Sequence, residues 1–503
     1  MTMRTGLHRS WFVFFVALAF APAALSQQDQ NQQQSQQQDQ QGQNQQQNGQ
    51  NNQGDQPTQP IPAYHSPLAL GGAQQNENQN SSGLQPDTRP LAGAQRVGLG
   101  TPAEQHSYWQ PSFSVFSTFD SNALGSATGW VNYESFLGAL TVHRASVRND
   151  LLLEYSGGGV VSSNSRMGNE VLQQFELGDT ISLRRTQITF FNTTSYIPEA
   201  SFGFGGLGGL NVPGSGLLGL SYGFVPQESI LAARDQRVAN ATAGQMNYAL
   251  SRRSSVTLVG GYSLLHFVGG GYFDFRQPMV QAGYNYQLTR LDTIAVLDNF
   301  SDFQFSGLGE SIRDNRTDFS YAHRVTGRIA FQVQAGPEEV FFTVPSSTMG
   351  PPGTVTSGSN TSEFVWNLNS SLSYAMERGS VSLNYTRGVN GGSGVLIGAI
   401  SNIVDVTAWR TLGRQFTANA RFGYSHSASL NGPVQLTGHP NYAFWYGGGD
   451  ISRAFGRYLT LVASYQYQHE TSTLPLCVGS SCGVFSRNMI AIEITWQDHP
   501  FAF

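Results

Sequence analysis

Four stretches of this sequence hold residue types whose spacing could do chemistry. "GFGGLG" at Gly203 to Gly208 matches G-x-G-x-x-G, which binds a pyrophosphate when its glycine turn follows a strand and opens a helix. Nothing downstream reads as that helix, so the stretch is better described as a glycine-rich loop. "GLSYG" at Gly219 to Gly223 matches G-x-S-x-G, where Ser221 would be a nucleophile on a strand-to-helix elbow, yet it lies in the alternating, loop-like "GLLGLSYGF". "GYSHSASLNG" sets His426 among serines, but the position two after His426 is Ala428 and Asn431 arrives late. A histidine base must reach its nucleophile by a hydrogen bond, so the missing serine undermines a lipolytic reading. Asp298, Asp302, Glu310, Asp314, Asp318 and His323 gather around one expected loop without a spacing that specifies a proteolytic site.

Cys477 and Cys482 are the only cysteines. A pair this close in an exported chain reads as a small disulfide loop, and two thiols alone make a poor zinc site. No metal or organic cofactor is indicated. All 27 basic residues are arginine, which excludes a P-loop lysine, a Schiff-base lysine and a Ser-Lys dyad. The net charge of -5 and the lack of a basic run leave nucleic acid out as a partner.

The elements that must position any site begin after two unusual segments. Arg4 and Arg9, the apolar run "WFVFFVALAFAPAAL" and "ALS" before Gln27 have the layout of a secretory signal peptide over residues 1–26. Residues 27–107 are dominated by Gln, Asn and Gly with scattered Pro. They bury too little apolar surface to offset their ordering entropy and read as a disordered tether. Past Leu25 no apolar stretch is long enough for a transmembrane helix, so membrane residence would require a closed β-barrel, which leaves no open sheet edge in lipid.

From Tyr108 onward the texture is two-faced. In "QFTANARFGYSH" Phe416, Ala418, Ala420, Phe422 and Tyr424 oppose Gln415, Thr417, Asn419, Arg421 and Ser425. The same period of two runs through "SVTLVGGYSL", "GSVSLNYT" and "RYLTLVASYQYQ", as expected of strands with one apolar and one polar face. Charged residues are only 12% of the chain against roughly 25% in soluble domains, while Gly (57) and aromatics (12%) run high. Short, arginine-bearing turns alternate with long Gly/Ser/Asn/Pro-rich loops. The short ones are "VRND" at Val147, "LRRT" at Leu183, "SRRS" at Ser251, "LTRLD" at Leu288, "VTGR" at Val325, "MERG" at Met376, "LGRQ" at Leu412 and "AFGR" at Ala454. Their arginines read as solubilising and strand-capping groups, with contact to anionic head groups or partners as the alternative. Eight such turns with both termini on one rim imply about 18 strands, and about 16 if the weak first hairpin is discounted.

The last run, "NMIAIEITWQDHPFAF", alternates Ile490, Ile492, Ile494 and Trp496 with Ala491, Glu493 and Thr495 and ends on Phe503. At this point residues 108–503 resemble bacterial outer-membrane β-barrel proteins of the porin type. That class has an amphipathic last strand and a C-terminal aromatic read by the barrel-assembly machinery. "QDHP" departs from the pattern by separating the alternation from Phe503. The resemblance implies an all-β, transmembrane antiparallel up-and-down barrel of about 16–18 strands in the cell outer membrane. Tyr262, Tyr385, Tyr424 and Tyr465 would form one aromatic girdle and Tyr248, Tyr374 and Trp496 the other.

The expected function is an outer-membrane channel for small hydrophilic solutes, since a barrel of this size leaves room for water. It is not expected to be an enzyme. The alternative is a non-conducting barrel with a structural or adhesive role through its long loops. Gln281, Asn285, Asn384, Asn419, Arg421, Gln466 and Glu493 are the candidate lumen residues. The longest loop, Tyr196 to Asn240, is expected to fold into the mouth, with Arg234, Asp235 and Arg237 at a constriction, and an outward cap, a partner-binding surface or an extra hairpin that changes the strand count is the other reading. Trimers are common in the resembling class, but no sequence feature decides between monomer and homo-oligomer.

Overall fold

The two-faced runs form strands of 12 to 18 residues, long enough to cross a bilayer and well beyond the roughly 5 to 6 residues usual in soluble sheets. The computed structural model describes residues 107–503 apart from 123–128, 163–168, 198–235, 270–271, 307–309, 345–358, 393–395, 414, 431–440 and 474–483. Signal peptide 1–26, nearly all of segment 27–107, Cys477, Cys482 and the two glycine-rich motifs lie outside the described residues.

In chain order the strands are β1 (Tyr108–Asp120), β2 (Val131–Ala145), β3 (Asn149–Ser162), β4 (Asn169–Ser182), β5 (Thr186–Ile197) and β6 (Arg237–Ala249). There follow β7 (Ser254–Phe267), β8 (Phe275–Gln287), β9 (Asp292–Phe305), β10 (Ser311–Arg324), β11 (Ile329–Val344) and β12 (Ser359–Met376). The chain closes with β13 (Gly379–Asn390), β14 (Ala399–Leu412), β15 (Phe416–Ser429), β16 (Asn441–Phe455), β17 (Leu459–Ser472), β18 (Val484–Gln497) and the two-residue β19 (Phe501–Ala502). Each long strand pairs antiparallel with its sequence neighbours, and β1 pairs with β18 from Ser112 opposite Gln497 to Asp120 opposite Met489. The result is a closed barrel of eighteen strands, an even number, in which each strand pairs with a neighbour on both sides over at least part of its length.

All eight arginine-bearing stretches are the tight turns of one rim. Hydroxyls close them: the backbone amides of Arg253 and Ser254 donate to Ser251 Oγ, and those of Arg328 and Ile329 donate to Thr326 Oγ1. Gly413 and Gly456 supply positive φ (72° and 71°) in two others. The turn arginines Arg148, Arg184, Arg185, Arg252, Arg253, Arg290, Arg378 and Arg457 are exposed.

The seam between first and last strands is polar on its inner side. Ser114 Oγ lies 2.8 Å from Thr495 Oγ1, and Arg487 bonds Asp120. The last strand presents Ile490, Ile492, Ile494 and Trp496 outward and buries Glu493 and Thr495 inward. After Gln497 the ladder breaks at Asp498–Pro500, and β19 resumes it against the start of β1, so Phe503 belongs to an extension.

Candidate channel and its constriction

Alternation decides what each wall position meets. Outward positions carry Phe113, Leu140, Leu258, Val280, Val296, Leu372, Phe422, Leu461 and Ile492, a band of apolar side chains around a closed barrel. Tyr248, Tyr374 and Trp496 are exposed near the short-turn rim, and Tyr262, Tyr424 and Tyr465 farther up the wall. An apolar belt between two aromatic rings is what bilayer hydrocarbon and its two interfaces select, and it identifies a membrane-spanning barrel of the outer-membrane type.

The inner face is divided. On β5–β11 the inward side chains are buried, among them Thr193, Gln245, Thr257, Gln281, Asn299, Asp318 and Gln334. On β12–β17 those nearer the short-turn rim are polar and partly open, Asn369 being exposed and Ser371, Ser382, Asn384, Thr407, Asn419 and Asp450 intermediate, whereas Ser401, Ser425, Ser427, Gln466 and Gln468 farther up are buried. Water-accessible polar surface therefore runs along the short-turn half of β12–β17.

Near the long-loop rim the wall departs from a cylinder. β12 pairs with β11 along its whole length, but its pairing with β13 begins at Leu368 opposite Arg387 and runs only toward the short-turn rim. Past Arg387, β13 leaves β12 while staying paired with β14 up to Asn390 opposite Ala399. The tip of the β13–β14 hairpin thus turns inward. Val389 N donates to Glu338 Oε1 on β11 (3.4 Å). A Cβ built on Gly391 would lie 2.8 Å from the Phe275 ring on β8, and one on Gly398 would collide with Ile312 Cδ1 on β10. Gly398 also holds φ at 72°, so two independent constraints require glycine there.

This inward tip completes an apolar cluster across the mouth. Leu265, Phe267, Phe275, Phe303, Phe305, Ile312, Val340 and Phe342 from one side meet Val389, Leu396, Ala399, Leu430 and Tyr442 from the other. Charges sit among the inward groups of β10 and β11: Arg316 Nε is 3.0 Å from Asp318 Oδ2, and Gln334 Nε2 donates to the same oxygen at 2.6 Å. On the open side Arg421 Nε donates to Asp405 Oδ2 (3.2 Å), which also accepts from the Tyr446 hydroxyl (3.0 Å). Glu310, in the connection between β9 and β10, has its carboxyl raised above the usual range by burial.

Each candidate lumen residue points inward, but in different surroundings. Asn384, Asn419 and Arg421 are part-buried on the open side. Gln281 and Asn285 are buried on the β8 wall, where Asn285 Nδ2 donates to Thr257 Oγ1 (3.0 Å). Gln466 and Glu493 are also buried, and Glu493 Oε1 accepts from Thr495 Oγ1 at 2.5 Å.

Of the expected constriction, Arg237 is the buried first residue of β6 and Tyr196 lies within β5, so the connection is shorter than Tyr196 to Asn240; Arg234 and Asp235 lie outside the described residues. The β13–β14 tip escaped the sequence reading, although its "GVNGGSGVLIG" has the same Gly-plus-aliphatic content that singled out the longer loop. Alternation sets His426 outward and Ser425 and Ser427 inward, so neither neighbouring serine shares its face. The acids around β9 and β10 divide likewise: Asp298 and Asp302 face outward, Asp314 and Asp318 inward.

No protein-family model and no curated protein matches the sequence. Solved structures similar to the chain include OccAB4 of Acinetobacter baumannii (8% identity, 80% of this chain and 100% of that chain, TM-score 0.39). They also include the outer membrane protein opdK of Pseudomonas aeruginosa (9% identity, 78% and 99%, TM-score 0.39). A third is the FrpB iron transporter of Neisseria meningitidis (9% identity, 78% and 82%, TM-score 0.35). Superpositions this loose leave the chain's own geometry to carry its functional reading.

Proposed function

We propose that this outer-membrane barrel is a channel for small hydrophilic solutes, narrowed at its long-loop mouth by the tip of the β13–β14 hairpin. The observation that carries the reading is the polar, partly open inner face along the short-turn half of β12–β17, inside a wall of eighteen strands. Asn384, Asn419 and Arg421 would bind and release solute in exchange for water. The few charges on that side would give weak ion selectivity. The inward tip meets the opposite wall through side-chain packing, so the mouth would be tight and its width set by residues 388–400.

The apolar cluster across the mouth favours a second reading, a non-conducting barrel that serves as a scaffold for its long loops. Single-channel recording of the purified, refolded full chain in a planar bilayer separates the two. Discrete, reproducible conductance steps are expected for the channel. A silent bilayer, with insertion and folding shown independently, would overturn it and leave the scaffold.

A further inference from the structure

We propose that the notch left where β13 turns inward is a docking site for an extended peptide segment of another protein, which adds to the vacated edge of β12 as a strand. β12 pairs with β11 from Ser359 opposite Val344 to Tyr374 opposite Ile329, but with β13 only from Leu368 to Met376. From Ser359 to Asn367 its β13-facing edge has no strand partner among the described residues. The Asn367 side chain does not cap that edge, since its Nδ2 donates to Gly336 O on β11 (3.1 Å). Backbone donors and acceptors left bare beside lipid are costly, and acyl chains offer them nothing. An added strand supplies both kinds of group at the spacing of a ladder.

The side chains along the edge fix what that strand would carry. Arg387 is paired with Leu368 on the last rung before the notch, so it stands at the notch's foot. It faces outward, with its guanidinium 4.4 Å from the centroid of the Trp366 ring and its Nη1 donating to Asn402 Oδ1 (2.7 Å). Its Nε is buried without a hydrogen-bond partner, and no carboxylate among the described residues pairs with it. Beside it the outward Trp366 and Phe364 are 52% and 72% exposed. On the inward phase of the same edge, Glu363 Oε2 is buried without a hydrogen-bond partner and Val365 packs against the apolar cluster of the mouth.

In antiparallel pairing, the commoner kind, directly opposite residues share a face. The added strand would therefore set an acidic residue opposite Trp366, within reach of Arg387, an apolar residue opposite Phe364 and a basic residue opposite Glu363. An unpaired backbone edge flanked by an outward cation and an inward carboxylate selects a peptide of this pattern over a lipid chain. The docking surface does not depend on whether the barrel conducts.

The probe is a capped, fluorescein-labelled peptide, Glu-Thr-Val-Lys-Val-Thr, added to the full chain in mild detergent and followed by fluorescence anisotropy. Saturable binding is expected, weaker by about tenfold when arginine replaces the glutamate of the probe. Arg387→Glu should invert that preference, and retention of the folded, heat-modifiable band on a gel shows that the variant still forms its barrel. Absence of saturable binding, or binding indifferent to both charge changes, would overturn the proposal. So would displacement of the probe by dodecanoate, which would make an amphiphile the occupant. Register supplies a second measurement that stands if Arg387→Glu fails to fold. In a chain carrying Phe364→Cys, Cys477→Ser and Cys482→Ser, a probe with cysteine in place of its first valine should form a disulfide with the barrel. A probe with cysteine one position earlier should not, because a shift of one residue turns the side chain to the other face. No linkage, or equal linkage of both probes, refutes strand pairing.

Discussion

Arg487 on β18 and Asp120 on β1 bond to each other across the seam that closes the barrel. Both side chains are essentially inaccessible, at 1% and 0% exposure, and Arg487 Nε lies 2.6 Å from Asp120 Oδ2. Asp120 is the one charged residue of the first strand and Arg487 the first of the last strand, and their bond joins positions 367 apart in sequence. Loop-closure entropy over such a separation must be offset by contacts formed only when the ring shuts.

Asp120→Ala leaves the arginine buried without that carboxylate, so it should destabilise the folded barrel by about 3 to 5 kcal/mol. The readout is the temperature at which the compact band on a semi-native gel gives way to the unfolded one. Asp120→Ala with Arg487→Met should recover much of the loss, because an apolar replacement for both partners leaves no buried charge unpaired.

Gly398→Val tests the inward hairpin. The added side chain would collide with Ile312 and force a β-branched residue into a left-handed backbone conformation. The tip of β13–β14 should leave the mouth, and single-channel conductance should rise by roughly twofold on the channel reading. Phe275→Ala removes the opposing ring without straining the turn and should shift conductance the same way by a smaller step.

Much of this arrangement could be read from residue types alone. Period-two alternation assigned the faces, and the arginine-bearing stretches located every short turn, because tight turns interrupt the apolar pattern of a membrane wall. The inward turn of β13 could not be read this way. It depends on Gly391 meeting Phe275 more than a hundred positions earlier, a contact created by the barrel's curvature and not by any local pattern. Nor could alternation distinguish buried inward groups such as Gln281 from part-open ones such as Asn384, since both occupy the same phase of their strands.

Asp405→Asn addresses selectivity. Asp405 neutralises Arg421 on the part-open side of the interior, held by the guanidinium and by the Tyr446 hydroxyl. Without its charge the positive field of Arg421 is uncompensated, and chloride permeability relative to potassium should rise by about twofold. The reversal potential under a potassium chloride gradient measures this directly. Arg421→Gln should move it in the opposite direction.

The C-terminal extension supplies the last prediction, and it depends on pH. Phe501 stacks on Trp109 with centroids 4.4 Å apart and planes 16° from parallel, and His499 packs against Phe501 at 4.2 Å. Asp498 anchors the turn between β18 and β19: its carbonyl accepts from Gln110 Nε2 at 2.7 Å. The His499 ring (2.7 Å) and backbone amide (2.8 Å) both donate to its carboxylate, holding Asp498 below the usual carboxylate range. A lowered carboxyl contributes stability that is fully present above the ordinary carboxyl range and is lost as pH falls through it. Fastening of the tail should therefore be intact at neutral pH and loosen in acid. Hydrogen exchange at the Phe503 amide, which bonds Ser107 O at 3.3 Å, reports it. Asp498→Asn should remove the acid dependence, whereas Phe501→Ala should speed exchange at every pH, consistent with the loss of about 0.5 to 1.5 kcal/mol of ring stacking.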